Sequence, residues 1–277
     1  MSKNVKSFLL AMQFLTRIPI AYPFDPEADD YKELCGRSVL SYPLVGLVIG
    51  SLLAVSAMVL LPLFSAGYSV FIVAVLILII WVMITGGLHL DGLADSADGW
   101  LGGFGDPART LEIMKDPRSG AAGVMVLALL LLFKFVLISA LLSNVIVSSS
   151  ALSPEQNLLQ NSGQNPGLVY FILAPVFARA SIPALFLVTP YARKGGMGSI
   201  PAEYMSRRLV KWMLIALTLI SLTMVKHGFY MLLGMGIVFY LLRRMMLQRL
   251  GGTTGDTAGA MVEIMECTVL LIAVMDF

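Results

Sequence analysis

Charge is scarce in this chain. Asp, Glu, Lys and Arg make up 13% of its 277 residues, hydrophobic residues make up 58%, and the mean hydropathy is +0.85. A soluble domain carries roughly a quarter charged residues, so a water-solvated fold is excluded. Cysteine is scarce as well. With only Cys35 and Cys267 there is no disulfide framework and no zinc-type spacing, and Cys267, inside an apolar run, reads as a small packing residue. The net charge of +2 gives no reason to expect a nucleic-acid partner.

Long apolar runs are what the chain has in place of charge. Several reach the roughly 20 residues that cross a bilayer as helix. They are continuous and do not alternate with period two, which points to helices and not to a barrel. The fold class expected is all-α: a polytopic integral membrane bundle and a single domain over residues 1–277. About seven transmembrane helices are expected, near 39–62, 67–87, 120–147, 167–190, 208–225, 228–247 and 258–276. Ahead of them, "MSKNVKSFLLAMQFLTRIPI" reads as an amphipathic helix lying in the membrane interface, within a segment 1–38 that ends in a cytoplasmic loop. Pro175 and Pro183 are expected to kink the fourth span around Arg179.

Basic residues give the bundle a direction. Sixteen of the 19 lysines and arginines fall on one side of these spans. The opposite side holds only Lys226, and its longest loop, "SSSALSPEQNLLQNSGQNPG", holds none. Basic loops stay cytoplasmic, so the N-terminus is expected inside and the C-terminus outside.

The few acids are concentrated. After "VFIVAVLILIIWVMI" the sequence turns to "GGLHLDGLADSADGWLGG", with Asp91, Asp95 and Asp98 spaced i, i+4, i+7, within about 60° of arc on a helix. Like charges so placed repel, and more so near lipid. A hard divalent cation such as Mg²⁺ would compensate them, since carboxylate oxygens suit Mg²⁺, Mn²⁺ or Ca²⁺. A second acidic pair, Glu112 and Asp116, stands among Arg109, Lys115 and Arg118. Carboxylates for a metal beside cations for anionic oxygens are the equipment of phosphoryl transfer. The acidic segment 86–119 is therefore the candidate active site. His89 could hydrogen-bond a phosphate or be an ordinary interfacial histidine.

A glycine-rich loop, 248–260, contains "LGGTTGDTAGA", whose backbone N–H groups ahead of a helix suit a phosphate, although Thr and Asp also cap helices for structural reasons. Glu263 and Glu266 follow inside the last span, where they could face the same cavity as Asp91 or line a proton path. Arg179 and Lys134 are cations within spans, positions that usually pair with acids or meet ligands.

The blocks "GGLHLDGLADSADG", "LEIMKDPRSGAAGV" and "GGTTGDTAGA", in this order, resemble the cobalamin-5′-phosphate synthase family (adenosylcobinamide-GDP ribazoletransferase). The openings "FLLAMQFLTRIPI" and "SVLSYPLVGLVIG" are similar too, while the polar stretch 148–166 is additional. The resemblance implies a membrane phosphotransferase joining adenosylcobinamide-GDP to α-ribazole or its 5′-phosphate with release of GMP, assisted by Mg²⁺. It implies that Asp91, Asp95, Asp98 and Asp116 bind metal, and that Asp98 or Asp116 accepts a proton from the attacking ribose 3′-hydroxyl. Arg109, Lys115, Arg118 and Arg179 would hold phosphate oxygens. Asp256, with Gly252 and Thr254, would cradle a nucleotide or ribose, and His89, Glu112 and Glu263 would complete the substrate site. The partners implied are the two substrates and the lipid bilayer, with a second copy of the chain, a homo-oligomer, left open. Two rivals stand beside this reading. One is a phosphotransferase attaching CDP-activated groups to lipid alcohols, partly echoed by Ala108–Arg109. The other is a transporter with glycine-broken helices, for which no inverted repeat is visible.

Overall fold

A computed structural model describes residues 1–20, 22, 24–64, 69–150, 166–193, 195–196, 198–225 and 227–275. Most of the polar stretch 148–166 lies outside the described residues, as do Lys194 and Lys226. Among the described residues the secondary structure is helical, apart from one isolated bridge between Tyr191 and Thr253.

Twelve helices are described in chain order: α1 (Lys3–Leu15), α2 (Tyr31–Ser38), α3 (Tyr42–Leu63), α4 (Ser69–Thr85), α5 (Leu88–Gly102), α6 (Pro107–Ile113), α7 (Ala121–Ser150), α8 (Pro166–Val188), α9 (Ser199–Tyr204), α10 (Arg207–Met224), α11 (Gly228–Leu250) and α12 (Gly255–Met275). Five stretches among the described residues are long and apolar enough to cross a bilayer: Tyr31–Leu63, Ala121–Val145, Gly167–Val188, Gly228–Leu250 and Gly255–Met275. The pair α4 and α5 makes a sixth if taken together. The seventh expected span coincides with α10, which has 18 residues and carries Arg207, Arg208 and Lys211 in its first turns. That charge keeps it outside the apolar set. The first span also begins earlier than expected, because α2 runs through a short 3₁₀ turn directly into α3.

α8 and α12 form the buried middle of the bundle. α3 lies against α8 through Gly46 and Gly50, a small-residue pair four apart of the kind that lets helix backbones approach closely. A Cβ at Gly50 would stand 2.5 Å from the Ile172 Cα. α1 buries Ser7, Ala11, Met12 and Leu15, one face of the helix, so its apolar side is covered by protein.

The feature that positions the acidic segment is a corner. α4 and α5 meet at 87°, and the turn is made by Gly86 and Gly87, with φ of +62° and +68°, a region glycine enters without a Cβ penalty. The backbone N–H of Arg17 donates to the Ile84 carbonyl at 2.8 Å, so the N-terminal segment braces the corner. After the corner α5 runs across the first turns of α12 and then α7. Its start packs on Asp256 and Gly259, and its end on Gly120 and Gly123. It thus lies against the starts of α12 and α7, at one end of the bundle.

Candidate active site

α5 buries its small residues, Gly92, Ala94, Ser96 and Gly99, against the bundle. The same periodicity leaves Asp91 exposed and Asp95 and Asp98 half-buried on another face. Burial, then the neighbouring carboxylates of Asp91, Asp256 and Asp98, push the Asp95 carboxyl up to about 6. The expected crowding of like charges is therefore present, and α12 adds a fourth acid to it. Among the described residues Asp256 forms an ion pair with Arg193, at 3.8 Å, contributed by the segment after α8.

Asp98 is engaged differently from its neighbours. Its Oδ2 accepts the Gly120 N–H at 2.7 Å and its Oδ1 the Gly123 N–H at 2.9 Å. Those N–H groups belong to the start of α7 and have no partner inside that helix. Asp98 is thus a cap supplied from another helix. A Cβ at Gly123 would lie 2.5 Å from Asp98 Oδ2, so the glycine is needed for the approach.

The second acidic pair is split. Asp106 caps α6 by accepting the Ala108 N–H at 2.9 Å, Pro107 sits at the first helical position, and the helix stops at Ile113. Glu112 and Asp116 therefore share no helical face. Asp116 instead accepts from Arg118 three times: backbone N–H at 3.0 Å, Nε at 2.9 Å and Nη2 at 2.7 Å. This holds its carboxyl down at about 2. Glu112, Lys115 and Arg109 are exposed, and the Arg109 guanidinium lies 5.5 Å from the Phe104 ring centre. Asp98, Phe104, Asp116 and Arg118 surround a cavity of about 610 Å³.

The glycine-rich loop is folded onto the segment after α8. Thr253 N–H donates to the Pro190 carbonyl at 2.9 Å, and Ala192 N–H to the Thr253 carbonyl at 2.8 Å. Gly252 is buried against the Pro190 carbonyl, closer than any side chain would permit. Thr254 and Thr257 cap α12 reciprocally: Thr254 N–H donates to Thr257 Oγ1 at 2.9 Å and Thr257 N–H to Thr254 Oγ1 at 3.2 Å. Gly252 and Thr254 are thus occupied by structure, and of the loop Asp256 is the side chain presented to α5.

Arg179 and Glu263 lie deeper, apart from the α5 carboxylates. Lys134, Arg179, Glu263 and Glu266 form a buried network of two cations and two anions. Lys134 pairs with Glu263 at 2.8 Å and also with Glu266; Arg179 pairs with Glu266. Trp81 Nε1 donates to Glu266 at 3.3 Å, and Lys134 Nζ sits 4.3 Å from the Trp81 ring centre. This network ties α4, α7, α8 and α12 together, and breaking such a pair costs about 3–5 kcal/mol. His89 is buried beside it, with Nδ1 unpartnered. The network was half legible: the intramembrane charges signalled that partners exist, but the sequence could not say that they serve one another. Arg193 was legible only as one of the basic residues of its side, and Phe104 carried no sequence signal.

Among the described residues no three His, Cys, Asp or Glu side chains converge as a ready metal site. The donor chemistry nevertheless suits Mg²⁺, which is usually held by one or two carboxylates together with substrate phosphates and not by an all-protein cage. Burial, and after it the carboxylates of Asp91, Asp256 and Asp98, raise the Asp95 carboxyl, and a cation beside these acids would offset the second of these causes.

The chain is similar in sequence to a known family and to known proteins. Residues 7–274 match the family model described as cobalamin-5-phosphate synthase. The chain is 47% identical over 263 residues, 95% of each chain, to the adenosylcobinamide-GDP ribazoletransferase of Stutzerimonas stutzeri (strain A1501). It is 45% identical over 271 residues, 98% of each chain, to that of Pseudomonas paraeruginosa. It is 44% identical over 265 residues, 95% of this chain and 96% of the relative, to that of Pseudomonas entomophila. No solved structure matches the chain.

Proposed function

The chain belongs to the cobalamin-5-phosphate synthase family, and from that premise we propose how the acid-bearing end of its bundle carries out the family's transfer. The protein is a transferase of cobalamin biosynthesis, joining adenosylcobinamide-GDP to α-ribazole or its 5′-phosphate and releasing GMP. The ribose 3′-hydroxyl attacks the phosphorus attached to cobinamide, the bond from that phosphorus to the GMP oxygen breaks, and the hydroxyl proton passes to a carboxylate.

One observation carries the assignment of this reaction to α5: the 87° corner lays Asp91 and Asp95 beside Asp256, so three acids from two sequence blocks share one exposed end. Asp91, with Asp256 opposite, would hold Mg²⁺ together with the substrate's phosphates. When bound, the ion supplies charge neutralisation for the phosphoryl group and the departing nucleotide. Asp95, pushed up to about 6, has the proton affinity suited to a base working near neutral pH. Asp116, held at about 2 by Arg118, is a weak base, and Asp98 already spends both oxygens on α7. Arg109, Lys115 and Arg118 would receive phosphate oxygens, Arg118 keeping one guanidinium nitrogen beyond its pair with Asp116. Sixteen basic residues on this side of the bundle support a cytoplasmic orientation in an inner membrane.

The experiment is a product assay on the purified protein given adenosylcobinamide-GDP, α-ribazole and Mg²⁺. Stoichiometric GMP with the joined corrinoid supports the reading. CMP release from a CDP-alcohol with a lipid acceptor, and no GMP, would transfer the protein to the rival phosphotransferase class.

A further inference from the structure

Phe104 is neither an acid nor a cation of the transfer, yet the fold holds it at a cost. It is the one non-glycine residue among those described with a positive φ, at +48°. It stands between Gly103 and Gly105 in the turn from α5 to α6, where a third glycine would adopt that conformation without strain. Its side chain is 82% exposed, so packing does not account for its presence. The ring forms part of the wall of the cavity of about 610 Å³ that also contains Asp98, Asp116 and Arg118. Arg109 stacks on it at 5.5 Å, and among the described residues Arg109 has no ion pair. Residues held in strained backbone cluster at active sites and ligand clamps.

We propose that Phe104 is the stacking platform for the nucleobase of the GDP-linked donor, with Arg109 and Arg118 meeting the phosphates; this deepens the ribazole-transfer reading and rests on it. The cavity's size falls within the range of small-molecule sites. An aromatic face flanked by two guanidinium groups matches a base joined to a diphosphate. Base–aromatic stacking is strong, tolerates polar surroundings, and does not need the ring to be buried in advance. A bilayer contact is the competing account of an exposed phenylalanine. It fits a cavity wall shared with Asp98, Asp116 and Arg118 poorly, because hydrocarbon would have to desolvate them.

The test compares the wild-type protein with Phe104→Leu and Phe104→Trp, each reconstituted at full length. Leucine keeps an apolar side chain for lipid and removes the aromatic face; tryptophan keeps the face. GMP release is followed with the donor varied at saturating α-ribazole, and then with α-ribazole varied at saturating donor. The expected result is a donor KM about tenfold higher in Phe104→Leu, with kcat and the acceptor KM within about twofold of wild type. Phe104→Trp should stay within about twofold throughout, and its added indole fluorescence should be quenched by GDP. An unchanged donor KM in Phe104→Leu, a rise confined to the acceptor KM, or equal impairment in both variants would overturn the proposal while leaving the transfer reading intact. If the wild type releases no GMP with any acceptor, the transfer reading fails and the subsite falls with it.

Discussion

Gly92 of α5 rests on the backbone of Asp256 in the first turn of α12: a Cβ at Gly92 would stand 2.7 Å from the Asp256 carbonyl oxygen. This contact brings two distant sequence blocks, the aspartate helix and the glycine-rich loop, into one site. Nothing larger than hydrogen fits between the two backbones.

Gly92→Ala should therefore push α5 off α12 and separate Asp91 and Asp95 from Asp256. Overpacking of this kind costs about 1–3 kcal/mol, which a bundle tied by a buried four-charge network can tolerate. The expected outcome is a correctly inserted protein whose GMP release falls at least about tenfold, measured beside a melting curve in detergent. Gly87→Ala offers a contrast: a Cβ there would meet nothing within 4 Å, but its φ of +68° makes the effect one of backbone strain at the corner.

Asp98 yields a different prediction from its two neighbours. Because it caps α7 through Gly120 and Gly123, Asp98→Ala should act on stability first, leaving two helix-start N–H groups unpaired at about 1–3 kcal/mol. Asp98→Asn keeps one acceptor oxygen and should recover part of the lost melting temperature. A loss of turnover in Asp98→Ala without any loss of thermal stability would show that the carboxylate acts directly in the chemistry.

The Asp95 carboxyl sets a pH window. Its value in the fold is raised from the ordinary 3.8 to about 6, so the ionised form burdens the native state. That burden is absent below about pH 4, grows as pH rises through the interval, and is complete above about pH 6. The metal-free protein should therefore lose stability from pH 4 to pH 6 by this contribution, and Asp95→Asn should flatten that slope. Mg²⁺ should raise the melting temperature more at pH 7 than at pH 5. Calorimetric melting of both proteins across this range, with and without Mg²⁺, checks each point.

The bundle, its apolar helices and the acid-bearing end were legible in the sequence because each rests on local pattern: run length, helical spacing and the distribution of basic residues. Asp91 and Asp95 were legible for the same reason, since like charges one turn apart on a helix require compensation. What escaped the sequence depends on where helices cross. Nothing local distinguishes Asp98, a cap for α7, from Asp91, about two turns earlier on the same helix. The 87° corner was hidden because Gly86–Gly87 also fits a simple loop. Arg179 and Glu263 read as ligand residues because a lone charge in a span demands a partner, and the sequence does not show that Lys134 and Glu266 are at hand. Phe104 was invisible because backbone strain leaves no compositional trace.

The central claim is that the exposed carboxylates of α5 are the seat of GMP-releasing transfer, and Asp91→Asn tests it most directly. The change removes one charge from an exposed side chain, so expression, membrane insertion and melting temperature should match wild type. GMP release from adenosylcobinamide-GDP in the presence of α-ribazole and Mg²⁺ should fall by at least about a hundredfold, the scale on which a group acting in the transition state is felt. Near-normal GMP release by the inserted, folded Asp91→Asn protein would contradict the account.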